Sequence, residues 1–222
     1  GFYILLLSLK VDYRLSVVGA IAFAFSSYFF IIIEAGHKTK AHAIAYLPMV
    51  VAAVLYTYRG KMLLGGVLTA FAVALELYAN HLQITYYLVL ILLLLGLVQF
   101  IKDLRVNNLV DFAKRSGILM LAALLASSTS LTRLSTTMEY GKDSTRGKSE
   151  LTDNLDNKTS GLDKDYATSW SYGIAESFTL LIPNFYGGAS QGELTTDSET
   201  YQAIKRAPNA KQLIKQLPLY WG

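Results

Sequence analysis

Glu76, Asn80, His81 and Gln83 fall within ALELYANHLQITYYLVL, residues 74–90, one of the most apolar parts of the chain. A carboxyl, two amides and an imidazole so close together can move protons or hold a polar ligand. A second polar set, Glu34, His37, Lys38, Lys40 and His42, lies in IIIEAGHKTKAH, residues 31–42. All three histidines of the chain belong to these two stretches. An ionisable group in or beside an apolar segment is costly, so it tends to be kept for function. Glu34 and Glu76 are therefore the candidate catalytic carboxyls. The competing reading of Glu76 is structural, a bond to a neighbouring helix or a reach to the membrane interface.

The remaining polar residues suit binding. Lys38 and Lys40 can meet a phosphate or pyrophosphate as point charges, or simply lipid headgroups. His37, Asn80, His81 and Gln83 are candidate substrate contacts. So is Arg146 in STRGKSEL, where a solvated loop is the plainer reading. The histidine spacing matches no strong metal motif. A divalent metal shared between a histidine and Glu34 or Glu76 stays open as an expectation.

These residues need elements to position them. The chain has 222 residues, of which 53% are hydrophobic, and the apolar ones are crowded before about residue 126. Six apolar runs can be read, at 2–9, 15–33, 43–58, 62–79, 82–101 and 117–131. A helix needs about 20 apolar residues to cross a bilayer. In lipid every backbone amide must be bonded internally, which favours helices. The first run is too short to cross and lacks the marks of a signal peptide. It reads as the cut end of a longer helix, and the chain as an interior fragment truncated at both ends. The expected fold is an all-α polytopic membrane protein with about six spans over residues 1–131. An irregular, mixed extracytoplasmic region is expected over 132–222, leading to a further span.

Charge orients the spans. Lys10, Arg14, Arg59, Lys61, Lys102, Arg105, Lys114 and Arg115 fall in alternate loops, which places those loops in the cytoplasm. Residues 34–42, the Asn80–His81 turn and residues 132–222 then face outward. The stretch 62–101 is about 40 residues, roughly 60 Å as one helix and twice the bilayer core, so it must turn. Asn80 and His81 are its polar centre and mark a tight outer hairpin. On this reading the inner loops hold only basic anchors, and the polar chemistry gathers on the outer face.

The polar half is rich in turn formers. SFTLLI, residues 177–182, reads as a short buried element. Asn209 reads as the cap of a short amphipathic helix, AKQLIKQL, ended by Pro218. Trp170, Tyr172 and Tyr186 predict a folded region, and Trp221 suits a membrane interface. Asn157-Lys158-Thr159 matches a glycosylation triplet, a pattern common by chance. There is no cysteine, hence no disulfide or thiolate site, and the net charge is a modest +4. No basic stripe with interleaved aromatics points to nucleic acid.

Several stretches together resemble a family. IEAGHKTKAHAIAYLP, ELYANHLQITYYL, STRGKSEL, GLDKDYATSWSYG and TLLIPNFYGG are similar, in order, to the YfhO-type bacterial membrane proteins in the form common among Bacteroidetes. The resemblance spans essentially the whole chain. It implies a GT-C-like helix bundle in the bacterial inner membrane. It also implies transfer of a sugar from a polyprenyl-phosphate carrier to a cell-envelope glycan or lipid on the outer face. The main catalytic carboxylate of such enzymes sits in an outer loop that would lie upstream of Gly1. Glu34, His37, Lys38, Lys40, Glu76 and His81 would then assist it or bind donor phosphate and acceptor. A transporter or flippase-like protein is the alternative. Transporters show polar residues or broken helices at mid-membrane. Here the inferred midplanes, near 23–27, 50–53, 68–72 and 92–95, carry only Ser26, Ser27 and Thr69 as exceptions.

Overall fold

A computed structural model describes residues 1–142, 168, 171, 173–182, 185 and 194–215. Arg146, the Asn157 triplet, Trp170, Tyr172, Tyr186, Pro218 and Trp221 lie outside the described residues. Every regular element among the described residues is helical. In chain order they are α1 (Phe2–Ser8), α2 (Tyr13–Ala24), α3 (Ser27–Glu34), α4 (Lys38–Tyr58), α5 (Met62–Tyr78), α6 (Leu82–Arg105), α7 (Leu109–Ser128) and α8 (Leu131–Lys142). A 3₁₀ turn at Ala175–Leu180 follows, then α9 (Glu199–Ile204) and α10 (Ala210–Leu213).

Three helical stretches are long and apolar enough to cross a membrane: Tyr13–Glu34, Lys38–Tyr58 and Leu82–Arg105. Their outward faces are apolar, as lipid contact requires. Only Ile84, Leu88 and Asp103 are buried along the whole of α6. Leu63 on α5 is 83% exposed. Apolar surface on this scale marks a membrane or partner contact. The 17 residues of α5 give about 25 Å, just short of a core of about 30 Å.

The chain forms two compact units, one of Gly1–Ala24 with Lys38–Ser135, the other of Phe25–His37 with Thr136–Gly222. In the first, α5 packs mainly against α4 and α7. Small residues make this possible. A Cβ on Gly65 would come within 2.8 Å of the Thr57 backbone and run into its hydroxyl, and one on Gly66 would meet Ile118 at 2.6 Å. The buried hydroxyls of Thr57 and Thr69 bond back to the Ala53 and Gly65 carbonyls at 3.0 and 2.8 Å. They therefore cost little inside an apolar bundle. Val50, Val51 and Val54 of α4, Ala72 of α5 and Leu88 of α6 form the core.

The helices turn on residues with left-handed backbones. Gly60 (φ +93°) follows α4, Asn80 (φ +57°) follows α5 and Asn107 (φ +52°) follows α6. Glycine and asparagine adopt this conformation at least cost. The hairpin expected at Asn80–His81 is present, between α5 and α6.

Other expectations are corrected. The run 15–33 is two helices, because Ser26 is extended (φ −64°, ψ 144°) at the head of α3. The loop expected at 34–42 shrinks to 35–37, since α4 begins at Lys38. A basic, polar start does not prevent a helix when the residues beyond it pack. For the same reason α7 begins at Leu109, not near residue 117, and carries Lys114 and Arg115. Residues 132–142 are helical rather than irregular.

In the second unit, the Ser27 hydroxyl donates to the Leu181 carbonyl at 2.8 Å. Most of SFTLLI is not buried: Ser177, Phe178, Leu181 and Ile182 are exposed, while Thr179 is buried. Its apolar letters implied burial, but a 3₁₀ segment of two turns cannot turn all of them inward. The helix after Asn209 has four residues, and the Asn209 side chain does not cap it. Ser198 does cap α9, accepting from the Tyr201 amide at 3.2 Å.

Gly65→Ala is expected to destabilise the purified protein by about 1–3 kcal/mol, the cost of overpacking a tight contact. Gly117→Ala, where a Cβ meets nothing within 4 Å, is expected to be neutral or slightly stabilising. Thermal unfolding of both variants in the same detergent checks the contrast. Equal melting temperatures would refute the close-approach account.

Candidate functional site

The α5–α6 hairpin assembles the most distinctive polar group. Glu76 sits on the last full turn of α5 and is 0% exposed. The Thr85 hydroxyl, one turn into α6, lies 3.0 and 3.1 Å from its two carboxyl oxygens. The same hydroxyl lies 3.3 Å from the His81 carbonyl. A hydroxyl has one proton to donate, so these three oxygens share one donor. The bond runs across the turn and ties the end of α5 to the start of α6.

The hairpin also touches the first turns of α4. Ala43, Ala79 and Ile84 are buried together, with Ile44, Tyr46 and Leu47 around them. Lys38, exposed, and Lys40, half-buried, therefore belong to the same end of the bundle as Asn80 and His81. Arg133 completes this end. Its guanidinium donates to the Tyr78 carbonyl at 2.8 Å and stands 5.0 Å over the Tyr78 ring. A cation on the last carbonyls of a helix is well placed against the helix dipole. Tyr78, Thr129, Ser130, Thr132 and Arg133 line a cavity of 370 Å³ there.

The expected site residues separate. Glu76 and His81 come together through Thr85. Asn80 is exposed and makes the turn itself. Gln83 points along its own helix and donates to the Tyr87 hydroxyl at 2.8 Å. Glu34 and His37, both exposed, belong to the other compact unit. Arg146 lies outside the described residues. Among the described residues no group of three or more His, Asp or Glu side chains is placed to hold a metal ion.

Two residues here were not anticipated, Thr85 and Arg133. Thr85 had a signal: four residues past His81, it must face Glu76 once the chain reverses at Asn80. Arg133 had none, because its contact depends on α7 returning to α5.

The opposite end of the bundle is also more than a set of anchors. Asp103 on α6 is buried and accepts from the Gln99 amide at 3.0 Å. Arg115 on α7 stands 3.7 Å from Asp103 and 3.8 Å from Asp111. The Tyr58 and Ser116 hydroxyls meet at 3.2 Å. The Gln99–Asp103 spacing of four on one helix was legible; its pairing with Arg115 was not.

No protein-family model, curated protein or solved structure matches the chain. The fold and site define the class only: an all-helical protein, among its described residues, with three helical stretches long and apolar enough to cross a membrane.

Thr85→Val keeps the shape of the side chain and removes the donor. A buried polar group left unsatisfied costs about 1–3 kcal/mol, so the variant is expected to lose that much stability, while Thr85→Ser keeps most of it. Gln83→Ala, at an exposed position, is expected to stay within about 0.5 kcal/mol. Unfolding curves for the three variants decide it. A Thr85→Val curve matching wild type would show the bond to be idle.

Proposed function

We propose that the chain is the membrane-embedded part of a GT-C-type glycosyltransferase of the bacterial inner membrane, with residues 132–222 on its outer side. It would transfer a sugar from a polyprenyl-phosphate donor to a cell-envelope glycan or lipid. The observation that carries this reading is the gathering of Lys38, Lys40, Glu76, His81, Thr85 and Arg133 at one end of an apolar helical bundle. The resemblance to YfhO-type proteins supports it.

In such a transfer a base takes the proton of the acceptor hydroxyl. The hydroxyl oxygen attacks the anomeric carbon as the bond to the lipid phosphate breaks. Lys38 and Lys40 are suited to receive the departing phosphate, since fixed cations stabilise developing negative charge. Glu76, enclosed and bonded to Thr85, is suited to hold the hairpin rather than touch the acceptor. It is thus a positioning residue, and the base belongs elsewhere.

One observation favours the transporter or flippase alternative. The apolar run 15–33 is interrupted near its middle by the extended Ser26, and interrupted spans are a feature of transporters.

In the full-length protein, Lys38→Ala is expected to lower cell-envelope glycan product at least tenfold with membrane insertion intact, one lost charge-assisted contact being worth roughly that much. Glu76→Gln is expected to lower it less. Glycan profiling alongside membrane fractionation provides the readout. Unchanged glycans in both variants, with lipid-linked substrate still moved across the bilayer, would establish the transporter reading instead.

A further inference from the structure

A second feature lies at the other end of α4. There α1, α4 and α5 enclose a groove of 490 Å³, within the roughly 300–1,000 Å³ of small-ligand sites. Its walls are apolar: Ile4 and Leu7 of α1, Met49 and Ala53 of α4, Leu68 and Phe71 of α5. Ile4, Leu68 and Phe71 are all exposed, at 51, 42 and 60%. The polar lining residues are Ser8, Tyr56 and one cation, Arg59. Arg59, just past α4, donates from its guanidinium to the Ser8 carbonyl at the mouth of the groove. In sequence, Lys61 lies two residues further and Lys10 two residues beyond Ser8, while Arg14, on α2, stands over the Tyr13 ring. Asp12 is the acidic neighbour, and it accepts from the Arg14 amide at 2.9 Å.

A long apolar slot ending in a cation has the polarity of an anionic lipid. A guanidinium has five N–H donors, so the Ser8 bond leaves capacity for phosphate oxygens. α4 is long and apolar enough to cross the bilayer, which sets the slot at acyl-chain depth and Arg59 at headgroup level. We infer that this groove binds one anionic phospholipid, an acyl chain between α1 and α5 and its phosphate on Arg59. Charge complementarity at the mouth selects this occupant. A second copy of the chain would bring the same cations to face one another. The inference depends on the membrane location of α4 and not on the transfer chemistry proposed above.

Native mass spectrometry of the full chain in mild detergent, with phosphatidylglycerol and phosphatidylcholine of identical acyl chains, tests it. Wild type is expected to retain phosphatidylglycerol about fivefold over phosphatidylcholine, the effect of one basic residue near a charged headgroup. Arg59→Gln is expected to bring that ratio near unity. Leu68→Trp, on an exposed wall, is expected to weaken both lipids while the preference persists. Leu97→Trp on α6, away from the groove, is expected to change neither. The inference fails if Arg59→Gln keeps the preference or Leu68→Trp binds both lipids as wild type does. It fails equally if Leu64→Cys, on the α5 wall of the groove in this cysteine-free chain, forms disulfide-linked dimers through the groove.

Discussion

Thr57 and Gly65 bring α4 and α5 closer than any larger residue at 65 would allow. The contact lies just past the Gly60 turn, so it fixes how the two helices leave that turn. Between helices in lipid there is little hydrophobic gain from association, because the tails are as apolar as leucine. Close backbone approach and van der Waals packing must supply the cohesion. Gly66 extends the same logic to α7 through Ile118. The valines of α4 then meet Ala72 and Leu88 in the core, and the two ends are set by what this central packing presents.

Each end is held by a buried acidic residue with a hydroxyl, amide or guanidinium partner. Glu76 meets Thr85 across the α5–α6 turn, and Asp103 meets Gln99 and Arg115 between α6 and α7. The two differ in electrostatics. Asp103 has a cation at 3.7 Å, while Glu76 has a neutral hydroxyl donor. A buried acid with a fixed cation is chiefly a structural tie, whose desolvation cost is offset by the pairing. A buried acid with only a hydroxyl is held less firmly and depends on the hairpin staying closed. This contrast makes the Glu76 end the better candidate for function, beyond its concentration of cations.

Much of this was legible from residue type and spacing. The turn at Asn80 followed from length: 40 residues of apolar chain cannot stay one helix across a bilayer. The apolar runs located α4, α5 and α6 to within a few residues at most ends. Glu76 could be singled out because a carboxyl among leucines is unusual. Helix starts were less legible. Lys38-Thr39-Lys40 and Asp111 to Arg115 look like loop, yet each begins a helix, because the first turn is stabilised by packing further along. The break at Ser26 was hidden for the opposite reason: nothing in a continuous apolar run says that one residue will be extended.

The sequence by itself determined that the apolar runs before residue 131 are helices, where the chain turns at Asn80, and which carboxyls are out of place. These follow from local composition, hydrogen-bond demand in an apolar solvent and the steric tolerance of glycine and asparagine. Only the tertiary structure decided that Glu76 is enclosed by Thr85, that Arg133 reaches Tyr78, and that Asp103 pairs with Arg115. Those partners are fixed by which helices approach one another and at what height, a property of packed volumes that no single stretch of residues contains.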